Sequence, residues 1–379
     1  MKKNLFFTAA LFLGLAFAAT SCSDDNEPID VDPVDVDYTS DNASSWQNYM
    51  RQVATLLKND AASLYSSWAT SYDGGASFAQ TFKAHNGGDY PSAMSCIQEI
   101  IEGCANIANE VGTQKIGEPY NLYSQSVTQA LYAVESWYSW HSRDDYRNNI
   151  YSIRNSYYGS LDGSVSSQSI SALVKSVNAD LDAQVVNAIN AAANAIYDIP
   201  QPFRNNINSN ESVAAMTACA ELENVLSNTL LPYIASNLSE NSALQGIIDN
   251  YVDVVILPTY LSLQEKNVAL YNAVVAFGSN PSNATFEAAC DAWLAAREPW
   301  EKSEAFLFGP VDAKGLDPNM DSWPLDQVAI VQILNSGNYD DLNWSDGDSD
   351  DAIEAAQSVR GFHTLEFLLF KNGVARRVN

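Results

Sequence analysis

Beyond residue 44, apolar and aromatic side chains recur at every third or fourth position, and runs in which Val, Ile or Thr alternate with polar residues are scarce. That spacing belongs to helices that bury one face. It predicts helices over residues 44–71, 91–112, 119–141, 144–157, 166–197, 211–238, 243–277, 283–306, 325–334 and 350–370. Helix breakers fall between them: Asp73-Gly74-Gly75, Asn86-Gly87-Gly88, Ile199-Pro200-Gln201-Pro202, Gly309-Pro310 and Asp317-Pro318. About 330 such residues exceed one comfortable core. The pattern therefore predicts an all-α protein of two packed helical bundles, residues 43–240 and 241–379.

The first residues depart from this pattern. Lys2 and Lys3 precede an apolar run from Leu5 to Ala19 that closes on Ala19, Thr20 and Ser21, which predicts a signal peptide over residues 1–21. The run is too short to remain as a spanning helix. Cys22 directly after it resembles the cysteine of a bacterial lipobox, so a lipid anchor on Cys22 is expected, with the protein held at the outer membrane on its periplasmic face or at the cell surface. Ser23-Asp24-Asp25-Asn26 resembles the surface-export signal of bacterial lipoproteins. Residues 22–42, rich in Asp and Pro, form an acidic tether that cannot bury enough apolar surface to fold. About twenty such residues reach roughly 65 Å when extended and span about 25 Å as coil.

Charge narrows the partners. With 19 basic against 46 acidic side chains, the formal net charge is −27, so nucleic acid is not an expected partner. Apart from Cys22, the cysteines are Cys96, Cys104, Cys219 and Cys290. Cys96 and Cys104 would lie about 12 Å apart along one helix, too far for a bridge. No C-x-x-C pair is present, and all four read as small buried residues. There is no G-x-S-x-G, H-E-x-x-H or Walker loop, and the histidines are His85, His141 and His363. The Asp-rich stretch 340–351 fails the register of a calcium-binding EF-hand, because Gly347 at its sixth position would put Leu342 first and Ile353 twelfth.

Candidate chemistry concentrates near the C-terminus. In Arg360-Gly361-Phe362-His363-Thr364-Leu365-Glu366, a helix places His363 and Glu366 on one face, suited either to joint metal ligation or to a carboxylate orienting an imidazole. Gly361 allows close backbone approach at the helix start. Upstream stand Trp293, Arg297-Glu298-Pro299-Trp300-Glu301-Lys302-Ser303-Glu304, Leu316-Asp317-Pro318 and Asp321-Ser322-Trp323-Pro324. Trp293, Arg297, Trp300 and Glu304 share a helical stripe bordered by Glu301, and Pro299 is expected to kink that helix. Glu118-Pro119, Glu135-Ser136-Trp137-Tyr138-Ser139 and Asp145-Tyr146-Arg147-Asn148-Asn149-Ile150 complete the series, with Glu135, Ser139 and Ser142 expected on one helix face.

Together these segments resemble the imelysin-like family of exported or lipid-anchored helical proteins, related to a ferrous-iron uptake component and also named as peptidases. Their order departs from the family, whose Gly-x-His-x-x-Glu half ordinarily comes first, so the chain resembles a circular permutation joined near residues 230–250. The resemblance implies an inter-bundle site drawn from His363, Glu366, Gly361, Glu135, Ser136, Ser139, Arg297, Glu301, Asp321 and Trp323, with His363 and Glu366 as metal ligands. Two functions from different classes follow. One binds iron or an iron-containing ligand, with iron-uptake components as partners. The other is a metallopeptidase in which zinc activates a water. In a third reading, His363 and Glu366 belong to a hydrogen-bond network that orders the interface without metal.

Overall fold

Serine side chains start many of the helices. Ser77, Ser169, Ser209 and Ser349 each accept a hydrogen bond from the backbone N–H three residues on, and Ser92 and Ser282 form reciprocal capping boxes with Ser95 and Thr285. The computed structural model describes residues 34, 36–239, 241–345 and 347–378. The expected signal peptide, Cys22 and the tether up to residue 33 lie outside the described residues. Those described belong to one unit, Asp32–Asn379, and are helical apart from loops and a short hairpin pairing Phe370–Lys371 with Val374–Ala375. None of the described helices is long and apolar enough to cross a membrane. Cys96, Cys104, Cys219 and Cys290 are buried thiols.

Helix Ala43–Ala69 buries Trp46, Met50, Val53, Leu57, Ala61, Leu64 and Trp68, a stripe at steps of three and four. It packs along Leu257–Ser279, which packs in turn on Asn283–Glu301, and it also meets Gly361–Leu369. Ala93–Glu110, Ser142–Tyr158, Ala179–Asp198 and Asn210–Asn224 pack on one another, and Ser142–Tyr158 also reaches Asn283–Glu301. The expected boundary between residues 240 and 241 is therefore not a packing boundary. The apolar stripe of Ala43–Ala69 is covered by side chains from the far half of the chain, Tyr260, Leu263, Leu270, Val274 and Phe277 among the buried residues there. The two ends of the body also meet: Arg376 donates to the Val36 carbonyl at 2.7 Å and to Asp37 at 3.0 Å.

Several expected helices are interrupted, each for a local reason. Residues 166–197 divide at Asn178, which caps the second helix through Leu181 N–H. Residues 350–370 divide at Arg360, before Gly361. Residues 211–238 and 243–277 run on but widen into π-turns at Val225–Leu230 and Tyr251–Ile256. Pro232 and Pro258 follow these turns closely. A proline cannot donate to the preceding turn and its ring crowds it, so a widened turn there lets the helix continue. A third π-turn, Val111–Lys115, ends the helix that begins at Ala93. Helices Phe78–Ala84 and Leu316–Asp321 were not foreseen, being too short for a period to show.

Trp46 joins the long first helix to the helix of His363: it is fully buried and its indole N–H donates to the Leu368 carbonyl at 3.1 Å. Trp46→Ala is expected to cost about 3–5 kcal/mol, measured as a lowered midpoint in equilibrium urea unfolding.

Candidate functional site

Helix Asn283–Glu301 carries Arg297 into the interior, where its side chain has no solvent exposure. A guanidinium without water needs an anion at each face of its fork. Glu301, one turn on, pairs with Nη2 at 2.6 Å, Glu135 Oε1 lies 3.1 Å from the same nitrogen, and Asp145 Oδ2 is 3.5 Å from Nε. Nη1 donates to Asp321 Oδ1. Each acid has further support. The Trp300 indole donates to Asp321 Oδ2 at 2.6 Å, Asn149 donates to Glu301 Oε2 at 2.5 Å, Ser136 Oγ donates to Asp145 Oδ2 at 2.6 Å, and Lys115 Nζ is 3.0 Å from Glu135 Oε2.

His363 approaches from helix Gly361–Leu369. Gly361 has φ +86°, and a Cβ there would stand 2.6 Å from the Met320 carbonyl oxygen. Only glycine lets this helix start pass so close to Leu316–Asp321, and that passage brings His363 to Asp321. The imidazole is fully buried. Its Nδ1 faces Glu366 Oε2 at 3.1 Å, while Glu366 Oε1 accepts from the Ser139 N–H at 2.8 Å and the Ser139 hydroxyl at 2.6 Å. Its Nε2 lies 3.0 Å from Asp321 Oδ1, 3.3 Å from Glu135 Oε1 and 3.3 Å from Arg297 Nη2. The Trp323 ring meets the imidazole edge-on, with centroids 4.9 Å apart.

The expected helix over 119–141 breaks at residues 124–126 and ends at Ala133, and Glu135, Ser139 and Ser142 do not share a helix face. Residues 134–141 form a sequence of turns in which Ser136 and Trp140 take φ of +53° and +62°. This left-handed backbone is costly for non-glycine residues and persists where the surroundings hold it. Here the Ser142 hydroxyl donates to the Glu135 carbonyl at 2.5 Å, and Ser139 is held by Glu366. The turn thus delivers a carboxylate to one side of the imidazole and a hydroxyl to the carboxylate on the other.

Burial opposes every charge here, and neighbours decide the balance. At Glu135 it is outweighed by Lys115, His363 and Arg297, which hold the carboxyl well below its ordinary range. At Asp321, Arg297 and His363 have the same effect. Burial and Arg297 both oppose a charge on His363, but Asp321 and Glu135 prevail and raise the imidazole well above its ordinary value. At Glu301 and Glu304 burial itself prevails over the nearby cations and raises both carboxyls. Asp317 is raised to about 7, first by burial among the surrounding protein and then by Asp321 and Glu110. Its side chain nonetheless keeps contact with solvent, at the outer end of the cluster.

The tertiary structure thus brings together His363, Glu366, Glu135, Ser139, Arg297, Glu301 and Asp321. Ser136 acts one step away through Asp145, Gly361 acts through its backbone, and Trp323 packs on the ring. The expected ligand pair divides: Glu366 sits on the Nδ1 side as an orienting carboxylate, while the ligand-like group is His363 Nε2 with Glu135 and Asp321, all within 4.8 Å of one another. Edges of 3.0 and 3.3 Å from Nε2 suit neighbouring ligands of an ion with bonds of about 2.1 Å. Lys115, Asp145 and Asn149 join the site without being marked by any sequence pattern: the segment Asp145–Ile150 assigns Asp145 and Asn149 no role, and Lys115 reaches the site only through its π-turn.

The sequence profile of the imelysin family (peptidase M75) matches residues 26–229 and 256–378. The crystal structure of an imelysin peptidase from Bacteroides ovatus is 64% identical, with a TM-score of 0.90 over 92% of this chain and 100% of that one. Iron-regulated protein A of Synechococcus elongatus is 33% identical over 133 residues, 35% of this chain and 32% of that protein. The chain therefore spans about a third of the length of that curated relative. The chain belongs to the imelysin family.

Two outcomes follow from the geometry. Gly361→Ala is expected to lower stability by about 2 kcal/mol or more through positive φ and the clash with Met320, measured as a lowered thermal midpoint. The buried carboxyls of Glu301 and Glu304, raised in the folded chain from the ordinary 4.5, favour folding fully below that value and lose the contribution as pH rises through the raised ones. Thermal melts should therefore show stability falling as pH rises above about 4.5, with a shallower fall in Glu304→Gln.

Proposed function

We propose that this imelysin binds an iron ion at His363, Glu135 and Asp321 and serves iron acquisition outside the cytoplasm, held at a membrane through a lipid on Cys22 and handing its ion to iron-uptake components. The observation that carries this reading is the two-sided setting of the imidazole: Nδ1 is occupied by Glu366, and Nε2 faces two carboxylates. One imidazole with two carboxylates suits ferrous iron, and the fixed Nδ1 partner sets the tautomer that leaves Nε2 as the donor. The name of the cyanobacterial relative, an iron-regulated protein, agrees with this choice of ion. When bound, the ion would supply the positive charge that Glu135 and Asp321 otherwise take from the His363 proton and Arg297. Arg297 keeps Glu301 and Asp145 as partners, so the ligand-bearing segments stay in place.

Peptide cleavage is the second reading, suggested by the family name, and the geometry favours it less. A metallopeptidase needs a carboxylate free to take a proton from water. Both oxygens of Glu366 are engaged, by His363 and by Ser139, and neither His363 nor Glu366 has exposed surface for a polypeptide to reach.

Anaerobic Fe2+ titration with elemental analysis tests the proposal. Wild type is expected to bind iron, His363→Ala and Asp321→Asn to lose it, and Glu366→Gln to bind about 10–100-fold more weakly, with circular dichroism confirming that each variant is folded. Absence of Fe2+ binding by wild type overturns the reading. Cleavage of an unstructured protein that depends on bound metal would replace it with the peptidase.

A further inference from the structure

Glu304 has no partner assigned by the iron site. It begins the short 3-10 turn Glu304–Phe306 just after the Arg297 helix, and only 8% of its surface is exposed. Among the described residues no hydrogen bond or ion pair reaches its carboxylate; the cation whose field acts on it is Lys115. A buried carboxylate left without a partner is costly and persists only where the scaffold insists on it.

The scaffold does insist here. On one side the Ala305 N–H donates to Ser152 Oγ at 3.0 Å, and on another Tyr260 donates to the Phe306 carbonyl at 2.9 Å. From a third side Gly103 presses on the turn so closely that a Cβ there would stand 2.3 Å from the Ala305 carbonyl oxygen. Three helices thus clamp the turn, and the carboxylate it presents points at Glu301 and Asp321. One oxygen from each of Glu301, Glu304 and Asp321 lies within 4.8 Å of the others.

We infer that Glu301, Glu304 and Asp321 form a second cation site, separate from the His363 centre and bridged to it by Asp321, which belongs to both groups of donors. An all-carboxylate set selects a hard divalent cation such as Mn2+, Mg2+ or Ca2+, whereas the imidazole of the first site favours a softer ion. A carboxylate shared in this way holds two ions about 3.5–4 Å apart. Charge balance agrees. Glu110, Glu135, Asp145, Glu301, Glu304, Asp317, Asp321 and Glu366 surround the fixed cations Arg297 and Lys115 and the imidazoles of His363 and His141, the latter 3.8 Å from Asp145. One divalent ion leaves this cluster strongly negative, and a second reduces the excess without reversing it. Half-exposed Glu110 and exposed Asp317 mark the approach from solvent, since both act electrostatically on Glu304.

Mn2+ added to the purified chain tests this, with stoichiometry from equilibrium dialysis and the electron paramagnetic resonance spectrum as a second readout. Wild type is expected to hold two ions per chain with an exchange-coupled spectrum. Glu304→Gln should hold one, with the six-line spectrum of an isolated ion, and His363→Ala should hold one at the carboxylate site. One ion in wild type, lost in His363→Ala and untouched by Glu304→Gln, overturns the second site and leaves the His363 centre standing. One ion lost in Glu304→Gln and kept in His363→Ala supports the carboxylate site and removes the other. Two ions without coupling overturn the bridge through Asp321. Should Glu304→Gln fail to fold by circular dichroism, wild-type stoichiometry and coupling decide alone.

Discussion

A guanidinium with no water to solvate it must be met by anions from whatever segments can reach it, and Arg297 is such a group. Its partners come from the turn before residue 142, from helix Ser142–Tyr158, from its own helix and from Leu316–Asp321. Removing one partner of a buried ion pair costs about 3–5 kcal/mol because the other is left uncompensated. That penalty applies to each contact at once, so the mutual position of four segments is tied to one side chain. Lysine could not replace it. Its ammonium is a point charge, whereas the planar fork presents separate nitrogens to Asp321, Asp145 and the Glu135–Glu301 pair.

The chemistry of the centre follows from that constraint. Holding several acids around one arginine leaves more negative charge than Arg297 and Lys115 can balance; burial raises the carboxyls of Glu301, Glu304 and Asp317, while Asp321 and Glu135 raise the imidazole of His363 against burial. Under the proposed function, an arriving ion would supply positive charge among these acids. The Ser139–Glu366–His363 chain adds direction. It turns Nε2 toward the acids and keeps the ring from rotating away.

Much of this was legible in one dimension. The three-and-four spacing located the long helices, and an all-α fold follows from it because burying a stripe is a local requirement of each segment. His363 with Glu366, and Arg297 with Glu301, are also local pairs, set by the helical repeat. The failures were of two kinds. Residues 119–141 carry a helical pattern, yet the segment after Ala133 is pulled into turns by contacts with Asp145, Ser142 and Glu366, partners that all lie beyond it in the chain. The division at residues 240 and 241 followed chain order, whereas packing followed the apolar stripe of Ala43–Ala69 onto the distant Leu257–Ser279.

What the sequence determined by itself was therefore the helical class and the short-range pairs, because both depend on spacings within a few turns. Tertiary structure alone decided that Glu135, Arg297, Asp321 and His363 meet, that Glu366 orients the imidazole from its far side, and that Lys115 and Glu304 join them. These groups lie up to 228 positions apart in the case of Glu135 and His363, and no helical or strand period extends so far. Their meeting rests on the shape of packed helices, on a glycine that permits one close crossing, and on the demand of a buried arginine for anions.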